Sequence, residues 1–113
     1  DITYHSTDEI HAQGMTTLVQ KALKKIDPQG KCPIHLSFDV DACAPETMPS
    51  TGTLVSRGLD TKDLQELGQE LARTGRLRSM DLVEFNPFIG TPDDLKLSLQ
   101  VVQDFLTHTL KSF

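Results

Sequence analysis

The chain has no tryptophan, a single tyrosine and only two cysteines, Cys32 and Cys43, in 113 residues. Two thiols are too few for a disulfide-stapled scaffold, so a reduced, cytoplasmic setting is the expectation. No apolar run approaches the ~20 residues of a membrane span, and the opening residues do not read as a signal peptide. Positive charge is scarce as well. Eleven Lys and Arg stand against sixteen Asp and Glu, a formal net charge of −5. That balance argues against a nucleic-acid or anionic-membrane partner, both of which want clustered cations. It leaves metal ions and cationic substrates open.

What is present fits a folded unit. Hydrophobic residues make up 37% and charged residues 24%, in a length that suits one compact domain with a small core. There is no internal repeat and no low-complexity tract, so residues 1–113 are read as one piece. The missing initiator Met at Asp1 suggests a processed or partial product.

Ile2-Thr3-Tyr4 reads as a short strand. Ser6-Thr7-Asp8-Glu9 is a capping-box pattern, and the apolar spacing after it predicts a helix over 7–26, weakened at Gly14. Asp27-Pro28-Gln29-Gly30 ends that helix. A strand follows over 33–40. The polar stretch 44–59, punctuated by Pro45, Pro49, Gly52 and Gly58, reads as a long loop of the kind that carries function. A second helix spans 62–74, capped by Asp60 or Thr61. Leu77 to Phe85 is a second strand, and Thr91-Pro92-Asp93-Asp94 opens the last helix. Strands alternating with helices imply a parallel sheet, whose ligands bind beyond the carboxyl ends of the strands.

The chemistry concentrates at two such ends. In His35-Leu36-Ser37-Phe38-Asp39-Val40-Asp41, apolar and polar residues alternate with period two. On an extended strand Asp39 and Asp41 share a face with Cα atoms roughly 6.6 Å apart. Carboxylates so placed can grip divalent cations, as two-metal hydrolases require. The plainer alternative is a strand-end pair capping a turn. Glu84, at the end of the other strand, is a turn residue or an anchor for a cationic head group. Thr51 and Thr53 are turn formers whose hydroxyls lie in the loop above the site. His35 is about 13 Å back along the strand from Asp39, too far to share its ion, and is read as a hydrogen-bonded core histidine. Cys43 reads as a small buried thiol. A binuclear site takes about four to six protein ligands, and this chain offers two good ones.

Ser37-Phe38-Asp39-Val40-Asp41, Pro49-Ser50-Thr51-Gly52-Thr53, Gly58-Leu59 and Asp81-Leu82-Val83-Glu84-Phe85-Asn86-Pro87 together resemble the C-terminal part of the ureohydrolases, most closely arginase. The resemblance implies a three-layer α/β/α domain with a parallel sheet, of which this chain is the C-terminal part. It implies a pair of manganese ions activating water for attack on a guanidinium carbon, with arginine giving ornithine and urea. By motif, Asp39 bridges the two ions, Asp41 binds one of them, Glu84 holds the guanidinium and Thr53 lines its pocket. The remaining ligands belong to an N-terminal half, and relatives form trimers or hexamers. Three positions depart from the family pattern: Ala44 stands where a third Asp is usual, Leu54 where Pro is usual, and Arg57 replaces the first glycine of a pair. Arg57 is expected to intrude on the site's mouth or repel a cationic substrate. These departures keep a second class in view, an arginase-like subunit without metals that binds or regulates.

Overall fold

The computed structural model describes residues 2–111. Its elements run α1 (Thr7–Gln13), α2 (Met15–Ile26), β1 (Ile34–Asp39), α3 (Thr61–Arg73), β2 (Leu77–Val83) and α4 (Pro92–Thr109). Three of the four helices open on reciprocal capping boxes, Ser6 with Glu9, Asp60 with Asp63 and Thr91 with Asp94. Each box satisfies two backbone N–H groups that a helix start leaves without partners. The single helix expected over 7–26 is two. Gly14 sits at φ 90°, a conformation open to glycine but not to a helix, and serves as C-cap of α1 and N-cap of α2. Ile2-Thr3-Tyr4 is not a strand: it has no regular secondary structure and no ladder partner among the described residues.

β1 and β2 pair in parallel, with Leu36 opposite Met80, Phe38 opposite Leu82 and Asp39 opposite Val83. The connection between them is the 43–60 segment followed by α3, the crossover that parallel pairing demands. Leu36, Phe38, Met80 and Leu82 face inward and pack with Met15, Leu64, Val101 and Phe105 from the helices in one continuous core. The Phe38 and Phe105 rings lie 4.6 Å apart at a tilt of 44°, a geometry worth about 0.5–1.5 kcal/mol beyond the area buried. The chain therefore contributes a parallel sheet and the helical layer on one of its faces. The opposite face is polar and exposed. There His35 Nδ1 meets Ser79 Oγ at 2.8 Å, and Ser37 Oγ donates to Asp81 Oδ1 at 2.6 Å. His35 is thus hydrogen-bonded as expected but not in the core, its side chain being 55% exposed. Strand alternation assigns it to the face that carries no helices.

The long 44–59 segment is less of a loop than its composition suggests. Its base is closed by a short parallel bridge between Cys43 and Leu59, with Ala44 N–H donating to Leu59 O at 2.9 Å and Leu59 N–H to Ala42 O at 2.8 Å. Ala44, Thr47, Met48, Ser50 and Thr51 are buried, whereas residues 52–57 are exposed. Pro/Gly punctuation marks the turns, but it does not tell which part packs. Among the described residues no helix is long and apolar enough to cross a membrane.

Two outcomes follow from these contacts. A Cβ on Gly58 would lie 2.5 Å from the Cys43 carbonyl carbon and 2.6 Å from Ala42 O. Backbone cannot yield cheaply there, so Gly58→Ala is expected to lose about 1–3 kcal/mol in urea unfolding. Asp27 ties the turn before β1 to the start of β2. Its carboxylate accepts from Cys32 N–H at 2.9 Å and pairs with the Arg76 guanidinium. The Cys32 N–H above all, and the Arg76 charge further down, hold it below its usual 3.8. A depressed carboxylate contributes stability that is full above the usual value and is lost as pH falls through the folded one. Asp27→Asn is therefore less stable at neutral pH, with a smaller further loss below pH ~4 than the parent in pH-dependent unfolding.

Candidate functional site

At the carboxyl end of β1 the chain does not continue straight. Val40–Ala42 form one 3-10 turn, and Asp39 caps it, its Oδ1 accepting from Asp41 N–H at 2.9 Å. The expectation that Asp39 and Asp41 project from one strand face is therefore corrected. Asp39 ends the strand and Asp41 belongs to the turn. The cause is local, because an Asp side chain offers the backbone two residues on an alternative to the ladder. Val40, between them, is fully buried and anchors the turn in the core.

β2 delivers its own acid alongside. Asp39 pairs with Val83, so Glu84 is the next residue along the same rim. Glu84 adopts φ 70°, the left-handed region that costs a residue with a Cβ about 1–3 kcal/mol. Neighbouring contacts hold it there. Thr51 bridges antiparallel to Phe85, Asn86 N–H donates to Ser50 O at 2.9 Å, and Thr51 Oγ1 is 3.0 Å from Glu84 O. The same Thr51 hydroxyl donates to Asp41 Oδ1. Ser50 in turn is held from α4, its N–H donating to Ser98 Oγ at 3.1 Å.

The rim thus gathers Asp39, Asp41 and the backbone of Glu84, with Thr51 between the last two. Asp39 and Glu84 are exposed, and Asp41 is partly so. Asp39 Oδ2 and Asp41 Oδ2 make no hydrogen bond among the described residues. Thr53 is exposed two residues beyond the tied segment, with no hydrogen bond to Asp39, Asp41 or Glu84 among the described residues. Thr51 is what sequence reading undervalued. A threonine in a Ser-Thr-Gly-Thr run signals a turn, and contacts across 10 and 33 residues leave no local trace. Cys43 is buried, and burial first, then the Asp39 charge, pushes its thiol up to about 12. It stays protonated and is no nucleophile at neutral pH.

As donors, carboxylates with one unengaged oxygen each suit a hard or borderline divalent cation. The number is the shortfall. Among the described residues no three His, Cys, Asp or Glu side chains gather to hold a metal. The Ala44 position supplies no oxygen either, its methyl being 3% exposed within the core. Oxygen donors of this kind suit a hard divalent cation, and two of them make only part of a ligand set.

Such a rim, with carboxylates at the ends of neighbouring parallel strands and a helical layer behind, defines a parallel α/β protein of the ligand-at-strand-ends class. The comparisons narrow this. The Arginase family profile matches residues 1–107, and the chain belongs to the arginase family. It is 35% identical over 109 residues to an arginase of Schizosaccharomyces pombe, covering 96% of this chain and 34% of that protein. It is 37% identical over 94 residues to mitochondrial arginase-2 of Mus musculus, covering 83% and 27%. Among solved structures, an arginase from Bacillus caldovelox superposes with a TM-score of 0.78 at 26% identity, over 96% of this chain and 35% of that one. A formimidoylglutamase from Bacillus subtilis reaches 0.84 at 22% identity, over 98% and 33%, and shares the fold. The chain thus spans about a third or less of the length of these relatives.

Arg57 does not point at a rim carboxylate. It pairs with Asp8 on α1 at 2.8 Å, both side chains exposed. Its φ of 61° is left-handed, the conformation that suits the glycine of the family pattern. Arg57→Gly and Arg57→Ala both lose the ion pair, but only glycine relieves the backbone. Arg57→Gly is expected to be the more stable of the two by about 1 kcal/mol in chemical denaturation, and equal stabilities would refute the strain.

Proposed function

We propose that this chain is the C-terminal part of an arginase-type ureohydrolase and supplies two metal-binding carboxylates and the guanidinium anchor for hydrolysis of arginine to ornithine and urea. The observation that carries the reading is the Asp39–Asp41 pair, each with a spare carboxylate oxygen, beside Glu84 at one sheet rim of an arginase-family chain. In this reading Asp39 and Asp41 would both serve as manganese ligands. A bound manganese pair supplies Lewis acidity, which brings water's pKa towards neutrality and offsets negative charge developing on the attacked carbon's substituents. The exposed carboxylate of Glu84 pairs with the substrate guanidinium through charge-assisted hydrogen bonds and fixes the carbon's orientation. Thr53 offers a hydroxyl to the same group. Two ligands fall short of the roughly four to six a binuclear site needs, so the others come from the rest of the polypeptide. The partner is a small cationic guanidino compound, in a cytoplasmic homo-oligomer, trimer or hexamer, that binds neither nucleic acid nor membrane.

A second reading is a metal-free subunit that binds or regulates. One observation favours it: Ala44 is buried where the family resemblance calls for a further carboxylate.

Metal content separates the two. In the full-length polypeptide about two manganese ions per subunit with urea release are expected, and Asp39→Asn is expected to lose metal and lower turnover at least a hundredfold. Full manganese content and turnover in Asp39→Asn would refute the assigned role. A parent protein that binds no manganese and forms no urea would favour the second reading.

A further inference from the structure

We infer that Thr51 is a positioning residue that couples the metal-binding carboxylate of Asp41 to the backbone that presents Glu84. The inference rests on the arginase-type reading of those two acids. Thr51 is 2% exposed, and a hydroxyl on so buried a residue needs partners in the protein. It has two, Asp41 Oδ1 and the Glu84 carbonyl oxygen at 3.0 Å. A hydroxyl carries one proton. The carboxylate, as the charged acceptor, takes the stronger share, which fixes the Asp41 rotamer with Oδ1 engaged and leaves Oδ2 without a hydrogen-bond partner among the described residues. The remaining attraction pins the Glu84 carbonyl, and with it the left-handed backbone from which the Glu84 side chain departs.

Thr51 is itself held on both sides, by the bridge to Phe85 and by Ser50, whose N–H donates to Ser98 and whose Oγ donates to Ile89 O at 3.0 Å. A single rigid point therefore sets one group from β1's turn and one from β2's end. Loss of the hydroxyl frees the Asp41 carboxylate and removes one of the restraints on the Glu84 carbonyl. Outer hydrogen bonds of this kind orient metal ligands and are worth about 10–100-fold in metal affinity.

The test uses the full-length polypeptide, with manganese as the metal probe and arginine as substrate. Thr51→Val keeps the shape and removes the hydroxyl, and Thr51→Ser keeps the hydroxyl. Thr51→Val is expected to weaken manganese binding, titrated by electron paramagnetic resonance on folded protein, by about 10–100-fold. It is also expected to raise KM for arginine at saturating manganese, and Thr51→Ser to restore both to within a few-fold. A purely structural role would lower Tm and leave affinity and KM of the folded fraction unchanged, which would overturn the inference. Should Thr51→Val fail to fold, Thr51→Ala set against Thr51→Ser gives the same comparison. Parent protein that binds manganese as tightly as Thr51→Val sinks the Thr51 role alone. Parent protein that binds none sinks the metal reading and this inference together.

Discussion

Everything at the rim depends on the parallel pairing of β1 with β2. Parallel strands end at the same edge of a sheet, so a residue at the carboxyl end of one stands beside a residue at the carboxyl end of the other. Here Asp39 is paired with Val83, and the two acids that matter, Asp41 and Glu84, each lie just past that pair. An antiparallel arrangement of the same two strands would put them at opposite edges. The inward faces fix the register. Leu36, Phe38, Met80 and Leu82 must all meet the helices, and a one-residue slip of β1 against β2 would turn His35 and Ser37 into the core instead.

The rim is built on the core rather than hung from it. Val40 lies buried between the two aspartates, and Thr51 hangs from a packed segment that α4 holds through Ser98. Gly58 lets the far end of that segment run against Cys43 closely enough to close the loop's base. Exposed, charged groups on rigid supports are what a binding site needs, because mobile carboxylates would turn to water and lose their mutual placement. Of the two non-glycine residues with left-handed backbone among the described residues, Arg57 and Glu84, Glu84 has its backbone carbonyl tied by Thr51.

Much of this was legible beforehand, and the reasons are specific. The capping box at Ser6 and the N-cap at Thr91 are local signals and fell where those side chains cap, while of Asp60 and Thr61, both open in the sequence, it is Asp60 that caps α3. The period-two pattern of β1 and its burial agree, and the linked motifs around Asp39, Thr51, Gly58 and Glu84 led to the family. Three features were not legible. Gly14 divides one helix into two because φ, not composition, decides there. Asp41 leaves the strand because Asp39 caps a turn, a choice that alternation cannot reveal. Thr51 acts through partners 10 and 33 residues away, and long-range partners are invisible to local pattern.

The central claim is that Asp39 and Asp41 act together as cation ligands at this rim. Anomalous diffraction at the manganese edge, on crystals of the full-length polypeptide grown with manganese, tests it most directly. Peaks within coordination distance of both carboxylates, with Glu84 facing the same space, are the expected result. Manganese bound elsewhere, with Asp39 and Asp41 merely hydrated, would contradict the account.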